Sequence, residues 1–251
     1  MPLPEPSSVL PAQIAQIAQN LARVRSRVDD AARAAGRAPS DVRLLVATKT
    51  QSADAVRAVV EAGADLIGEN RVQELGAKAP DLADLVAAGR VEVHMIGHLQ
   101  RNKVNQVLAT ATGVESVDSL ALAEALAARC ARDGRVLDVL VQVNVSDEES
   151  KSGARPDDAA ALATAVAGLE GLRLRGFMTI GANSPDETVV RAGFARLRAV
   201  RDAVAVSGAP GTAAAGELSM GMSGDLELAV AEGATIVRVG TAVFGPRPTP
   251  R

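Results

Sequence analysis

The chain has 251 residues, 47% hydrophobic and 1% aromatic, with a net charge of −3. That balance excludes a polycationic nucleic-acid surface and a polybasic membrane anchor. The single cysteine, Cys130, excludes an internal disulfide and a cysteine-based metal cluster, and favours a reducing, cytoplasmic setting.

In chain order, residues 1–12 form a proline-spaced lead-in without a basic start or a long apolar core. They read as a flexible segment and not as a signal peptide. Ile14 to Ala35 carries apolar residues at helical spacing (Ile14, Ile17, Leu21, Val24, Val28), with Gly36 as a stop. Short β-branched runs follow, predicting strands at Leu44–Ala47, Asp65–Gly68, Glu92–Ile96, Gly113–Val117, Val139–Asn144, Leu174–Met178, Glu217–Met220 and Val237–Gly240. Helical segments alternate with them at 52–62, 70–79, 101–109, 119–133, 156–168, 186–207 and 225–232. A polar, flexible loop is expected at Ser146–Gly153 and a second loop at Ser207–Gly216. No stretch approaches the ~18 uncharged apolar residues of a membrane span.

Strands separated by helices imply βαβ units and a parallel sheet. Eight of them favour closure into a single (β/α)8 TIM barrel with an extra N-terminal helix, over an open doubly wound sheet. No shift in composition marks a linker, so residues 1–251 read as one domain.

In such a barrel functional groups gather at the carboxyl ends of the strands. The first predicted strand ends on Thr48-Lys49. Burying an unpaired ammonium is costly, and lysine is the side chain that forms a Schiff base with an aldehyde cofactor. A solvated strand-end lysine is the plain rival. The seventh strand runs into Ser219-Met220-Gly221-Met222-Ser223-Gly224-Asp225, and the eighth ends Arg238-Val239-Gly240-Thr241. Small residues leading into a helix suit a phosphate cup. The rival is a strand-to-helix turn capped by Ser223 or Asp225. Arg238 projecting inward would hydrogen-bond a pyridine nitrogen and keep it unprotonated, or else pair with Glu217 or Glu69. His94 and His98 lack a third ligand, so no metal site is expected. The plain reading of Gly68-Glu69-Asn70 is a helix start with Asn70 as cap, a role compatible with touching a cofactor.

Leu45-Val46-Ala47-Thr48-Lys49-Thr50, Gly68–Glu74, His94–Lys103, Arg175–Ile180, Leu218–Asp225 and Val237–Thr241 follow one another in an order that resembles the pyridoxal phosphate homeostasis protein family, relatives of the alanine racemase barrel. The resemblance spans about residues 14 to 247 and implies pyridoxal 5′-phosphate (PLP) held on Lys49. It implies a phosphate held by Ser223, Gly224, Gly240 and Thr241, Arg238 facing the ring nitrogen, and Asn70 and Met222 along the ring. Ser219 and Met178 are weaker candidates. A racemase needs a second base, classically tyrosine, and this chain has no tyrosine. The expectation is therefore a PLP carrier with no catalytic residue, acting in vitamin B6 balance as a monomer and passing PLP to apo-enzymes. Lys103 or Lys151 would assist transfer. The alternatives are a PLP-dependent racemase or decarboxylase using His94 or Cys130 as second base, and a PLP-free barrel for a sugar phosphate.

Overall fold

The computed structural model describes residues 10–148 and 151–245, so most of the lead-in and the Glu149-Ser150 part of the polar loop lie outside the described residues. The elements in order are α1 (Pro11–Ala34), β1 (Arg43–Ala47), α2 (Ala53–Glu61), β2 (Leu66–Glu69), α3 (Val72–Ala87), β3 (Glu92–Met95), α4 (Val104–Leu108), β4 (Gly113–Val117), α5 (Leu120–Asp133) and β5 (Leu137–Gln142). They continue with α6 (Pro156–Ala167), β6 (Leu172–Met178), α7 (Glu187–Val206), β7 (Glu217–Ser219), α8 (Leu226–Ala231), β8 (Ile236–Val239) and α9 (Thr241–Phe244). The strands are parallel, each pairs with its sequence neighbours, and β8 returns to β1 to close the barrel.

Closure follows from the strand patterns. Strands covered by helices on the outside and side chains on the inside must be apolar on both faces, and Leu44, Leu45 and Val46 are all buried. The main core lies between sheet and helices. A smaller cluster of Leu45, Leu66, Ile96 and Ile236 fills part of the barrel interior. At the amino ends, Arg43 pairs with Glu92 at 2.8 Å and Arg175 with Glu217 at 3.0 Å, which ties β1 to β3 and β6 to β7.

The expected N-terminal helix begins earlier than its apolar stripe, at Pro11, a residue suited to the first turn. Ile17, Leu21, Val24 and Val28 are buried against the barrel, whereas Ile14 stays 39% exposed because the first turn overhangs the packed face. α1 lies across α2, α8 and α9, and Asn20 donates to the Val243 carbonyl at 2.8 Å.

Three elements depart furthest from the sequence pattern, and the N-cap of α3 is Arg71, not Asn70. α3 runs through Pro80 to Ala87, although proline costs a helix interior roughly 3 kcal/mol. Burial of Leu75, Leu82 and Leu85 on one face offsets that cost. β5 starts at Leu137 and ends at Gln142, after which Val143 forms an isolated bridge to Ala154. The predicted helix at 101–109 divides into a 3-10 turn, Arg101–Lys103, and α4. No helix among the described residues is long and apolar enough to cross a membrane.

Candidate functional site

Lys49 stands just beyond β1, and the backbone on both sides of it is pinned. The Thr48 amide donates to the Gly68 carbonyl at 2.9 Å, and its hydroxyl donates to Glu69 Oε1 at 2.6 Å. Lys78 of α3 donates to the Thr48 carbonyl at 2.8 Å and forms an ion pair with Glu69. On the other side the Thr50 amide donates to Glu74 Oε2 at 2.6 Å. Thr50 has a φ of 65°, in the left-handed region that a threonine rarely occupies. Contacts from β2 and α3 thus fix the turn that carries the amine. Glu69 does not pair with Arg238, as one reading of the sequence allowed; Lys78 takes it.

A cleft of about 370 Å³ opens at the carboxyl end of the barrel. Its walls include Lys49, Asn70, Met222, Ser223, Gly224, Arg238, Gly240 and Thr241, all eight residues that the sequence pointed to, together with Ala47, Ile96 and Ile180. Asn70 Oδ1 is buried there without a hydrogen-bond partner in the protein. A Cβ on Gly240 would sit 2.9 Å from the Ala47 carbonyl oxygen, so glycine lets the end of β8 close against β1 beside Lys49. The β7–α8 loop is tied from behind: Arg27 of α1 donates to the Ser223 carbonyl at 3.1 Å and pairs with Glu227 at 2.7 Å. Asp225 occupies the N-cap position of α8, but its carboxylate turns back to accept from the Met222 amide at 2.5 Å. α8 and α9 are short, so hydroxyls and local amides, more than a long helix dipole, are available to an anion.

Arg238 is 6% exposed and reaches neither Glu217 nor Glu69. Its Nη1 donates to Ser219 Oγ at 2.9 Å and its Nη2 to the Thr179 carbonyl at 2.7 Å. Ser219 in turn donates to Glu115 Oε2 at 2.5 Å, and the other Glu115 oxygen meets His94 Nδ1 at 2.9 Å. His94 Nε2 lies 3.5 Å from Glu92. Gly113 makes the room: a Cβ there would sit 2.6 Å from His94 Nε2. Burial opposes ionisation of Glu115, yet His94, Arg238 and Ser219 hold its pKa below the ordinary value. Burial also lowers His94, but hydrogen bonds to Glu115 and Glu92 override it and push it up to about 9.

A pH dependence follows. Because the folded pKa of about 9 exceeds the ordinary 6.5, the stabilisation from a protonated His94 is complete below 6.5 and is lost as pH rises through 9. The thermal midpoint of the wild type should fall over that interval, and that of His94→Gln should fall less. Parallel curves would remove His94 from the account.

Glu115 and Lys78 escaped the sequence reading. The available signal was an acid inside the apolar run Gly113–Val117, in strand phase with a histidine in the preceding strand. His94 is in this interior row and Cys130 is buried in α5; neither lines the cleft. Met178 and Ser219 are fully buried behind the cleft. His98, 55% exposed, sits 3.4 Å from Asp118. Lys103 lies in the 3-10 turn, away from the walls of the cleft. Lys151 borders an adjoining cleft of about 320 Å³ that shares Ile180, Met222 and Gly224 with the first. There it donates to Glu148 at 2.7 Å and to the Gly181 carbonyl at 3.0 Å. No group of three or more potential metal ligands occurs among the described residues.

The family model for the alanine racemase N-terminal domain matches residues 14–248. The chain is 44% identical over 231 residues to a pyridoxal phosphate homeostasis protein of Pseudomonas aeruginosa, covering 92% of this chain and 96% of that one. It is 41% identical over 232 residues to the protein of that description in Escherichia coli K12, covering 92% and 97%. Among solved structures it is similar to PipY of Synechococcus elongatus with PLP bound, at 35% identity and a TM-score of 0.78, covering 91% of this chain and all of that one.

Proposed function

The chain belongs to the pyridoxal phosphate homeostasis proteins, within the alanine racemase N-terminal-domain barrels, and from that premise we propose that it holds PLP on Lys49 and serves PLP balance and supply, without substrate turnover. One observation carries this: Lys49, Arg238 and the Ser223-Gly224 and Gly240-Thr241 loops meet in one cleft.

The residues fit the group. A cleft of about 370 Å³ is within the ordinary size of a cofactor site. Its donors are an amine, a guanidinium and two hydroxyls, which match an aldehyde, a ring nitrogen and a phosphate, while the orphaned Asn70 Oδ1 awaits a donor. When bound, PLP supplies an aldehyde that an amine captures with loss of water. Lys49 presents that amine from a turn locked by Glu69, Glu74 and Lys78. Ser223 and Thr241 hold the phosphate with the amides of their loops, and Met222 and Ile180 shield one side of the cleft from water. Arg238 orients the ring nitrogen and, being always charged, accepts no proton for it and surrenders none. An unprotonated ring is a poor electron sink, which suits storage more than turnover. The bases that a racemase would need support the same conclusion, since His94 is committed to Glu115 inside the barrel.

The carrier works as a cytoplasmic monomer and passes PLP to apo-enzymes, with Lys151 beside the cleft as the candidate for assisting the exit. The test is the absorbance of the purified, PLP-loaded protein before and after borohydride. A visible band that borohydride abolishes, with the added mass on the Lys49 peptide, is expected; no added mass on that peptide sinks the assignment. Steady turnover of an amino acid, abolished by Lys49→Ala, would overturn the carrier.

Ser223→Ala should weaken PLP retention only modestly, because backbone donors remain and one hydrogen bond contributes roughly 0.5–1.5 kcal/mol net. Bulky replacements of Ser223 and Thr241 together should fill the phosphate end and cost far more. Equal affinity of that double variant and the wild type, by equilibrium dialysis, removes these loops from the site.

A further inference from the structure

We propose that Glu115 and His94 are positioning residues for the bound cofactor, holding the Arg238 guanidinium in place through Ser219 and setting the charge that the pyridine ring meets. This rests on the PLP assignment and deepens it.

Five side chains form a row through the barrel from its carboxyl end toward its amino end: Arg238 on β8, Ser219 on β7, Glu115 on β4, and His94 and Glu92 on β3. Arg43 on β1 closes the row by pairing with Glu92. The formal charges alternate along it, from Arg238 through Glu115, protonated His94 and Glu92 to Arg43. Glu115 and Ser219 have no exposed surface, and a well-packed apolar set would ordinarily serve a barrel interior at least as well as buried ions. This row has a second property: its upper end lines the cofactor cleft.

The geometry makes Arg238 a fixed group and not a mobile one. Two of its nitrogens are engaged, one by Ser219 and one by the Thr179 carbonyl. A planar guanidinium held at two points has its plane set, so its remaining N–H groups point in one direction. Ser219 accepts from Arg238 while its own proton is given to Glu115, which fixes the rotor and keeps a lone pair toward the guanidinium. The carboxylate therefore orients the hydroxyl, and the hydroxyl orients the guanidinium. His94 occupies the far Glu115 oxygen and fixes the carboxylate in turn. The charged groups that act on Arg238 are Glu115 from below and Asp225 from the β7–α8 loop.

The test uses full-length protein loaded with PLP and reads the visible band as a function of pH. Glu115→Gln keeps the shape of the side chain but removes one negative charge behind Arg238. The site becomes more positive, protonated forms of the bound cofactor are disfavoured, and the midpoint of the band should fall by about half a pH unit or more. His94→Gln removes a positive charge from the same row and should move the midpoint upward by less. Opposite signs support the proposal; superimposable titrations, or two shifts of the same sign, overturn it. Should Glu115→Gln fail to fold by circular dichroism, Ser219→Ala decides. It keeps both charges and cuts the contact, so a band identical to the wild type overturns the proposal and a displaced band supports it. Borohydride labelling separates the two levels of failure. Label on Lys49 with unresponsive spectra rejects the row alone, whereas wild type without label rejects the PLP assignment and the row with it.

Discussion

Lys49→Ala is expected to give a folded, colourless protein that no longer takes up PLP covalently. Loss of the amine removes the only bond that closes on the aldehyde, so borohydride leaves no added mass on the 49-containing peptide. The proposed phosphate loops and Arg238 are untouched by the substitution, so weak retention should persist. Affinity should fall by roughly 100-fold or more, about 2.7 kcal/mol on the usual scale. The variant should keep the fold. Thr48 and Thr50 tie this turn to Gly68, Glu69, Glu74 and Lys78, and those contacts survive the substitution. Dialysis against PLP, a mass spectrum after borohydride and a thermal melt check the three statements together. Undiminished covalent labelling of the variant would move the site elsewhere.

Lys78→Met should have the largest effect on stability. Lys78 and Glu69 are both buried, with side chains 8% and 2% exposed. Removing the ammonium strands the Glu69 carboxylate, one of whose oxygens, Oε2, already has no hydrogen-bond partner. Breaking a buried pair from one side costs about 3–5 kcal/mol. In a chain of this size each kilocalorie moves the thermal midpoint by roughly 2–4 °C, so a fall of about 6–20 °C is expected. Replacing Glu69 with Gln in the same protein should recover much of the loss, because the stranded charge disappears with it. PLP retention should weaken along with stability, since the Thr48 carbonyl loses the donor that holds the Lys49 turn. A melt within a degree of the wild type would show that this pair contributes little.

The site was legible where its chemistry lies on contiguous residues. Lys49 closes an apolar run, Met222-Ser223-Gly224 opens a helix, and Gly240-Thr241 ends a strand, so barrel order alone brings them to one mouth. Arg238 was legible by alternation: it pairs in register with Leu45, whose side chain shares the barrel interior. What sits behind these residues was not legible. Ser219 and Glu115 are 104 positions apart, and their contact depends on closure of the sheet. Lys78 and Glu69 are only nine apart, but one ends a strand and the other lies in a helix, so no single periodicity joins them. Sequence pattern offered Glu69 as a partner for Arg238, and a nearer cation took it. The four-residue α9 escaped because it has neither a side-chain cap nor enough length to show a period, and α3 was cut short at a proline that its buried face tolerates.

The clasp of Arg27 on Ser223 and Glu227 ties the leading helix to the β7–α8 loop that walls the cleft. Under the proposed function, coupling across that clasp is reciprocal: a ligand that stiffens the loop also moors α1, by the same free energy with which a moored α1 stiffens the loop. A helix that looks like an ornament on a self-sufficient barrel thus shares in fixing one wall of its mouth.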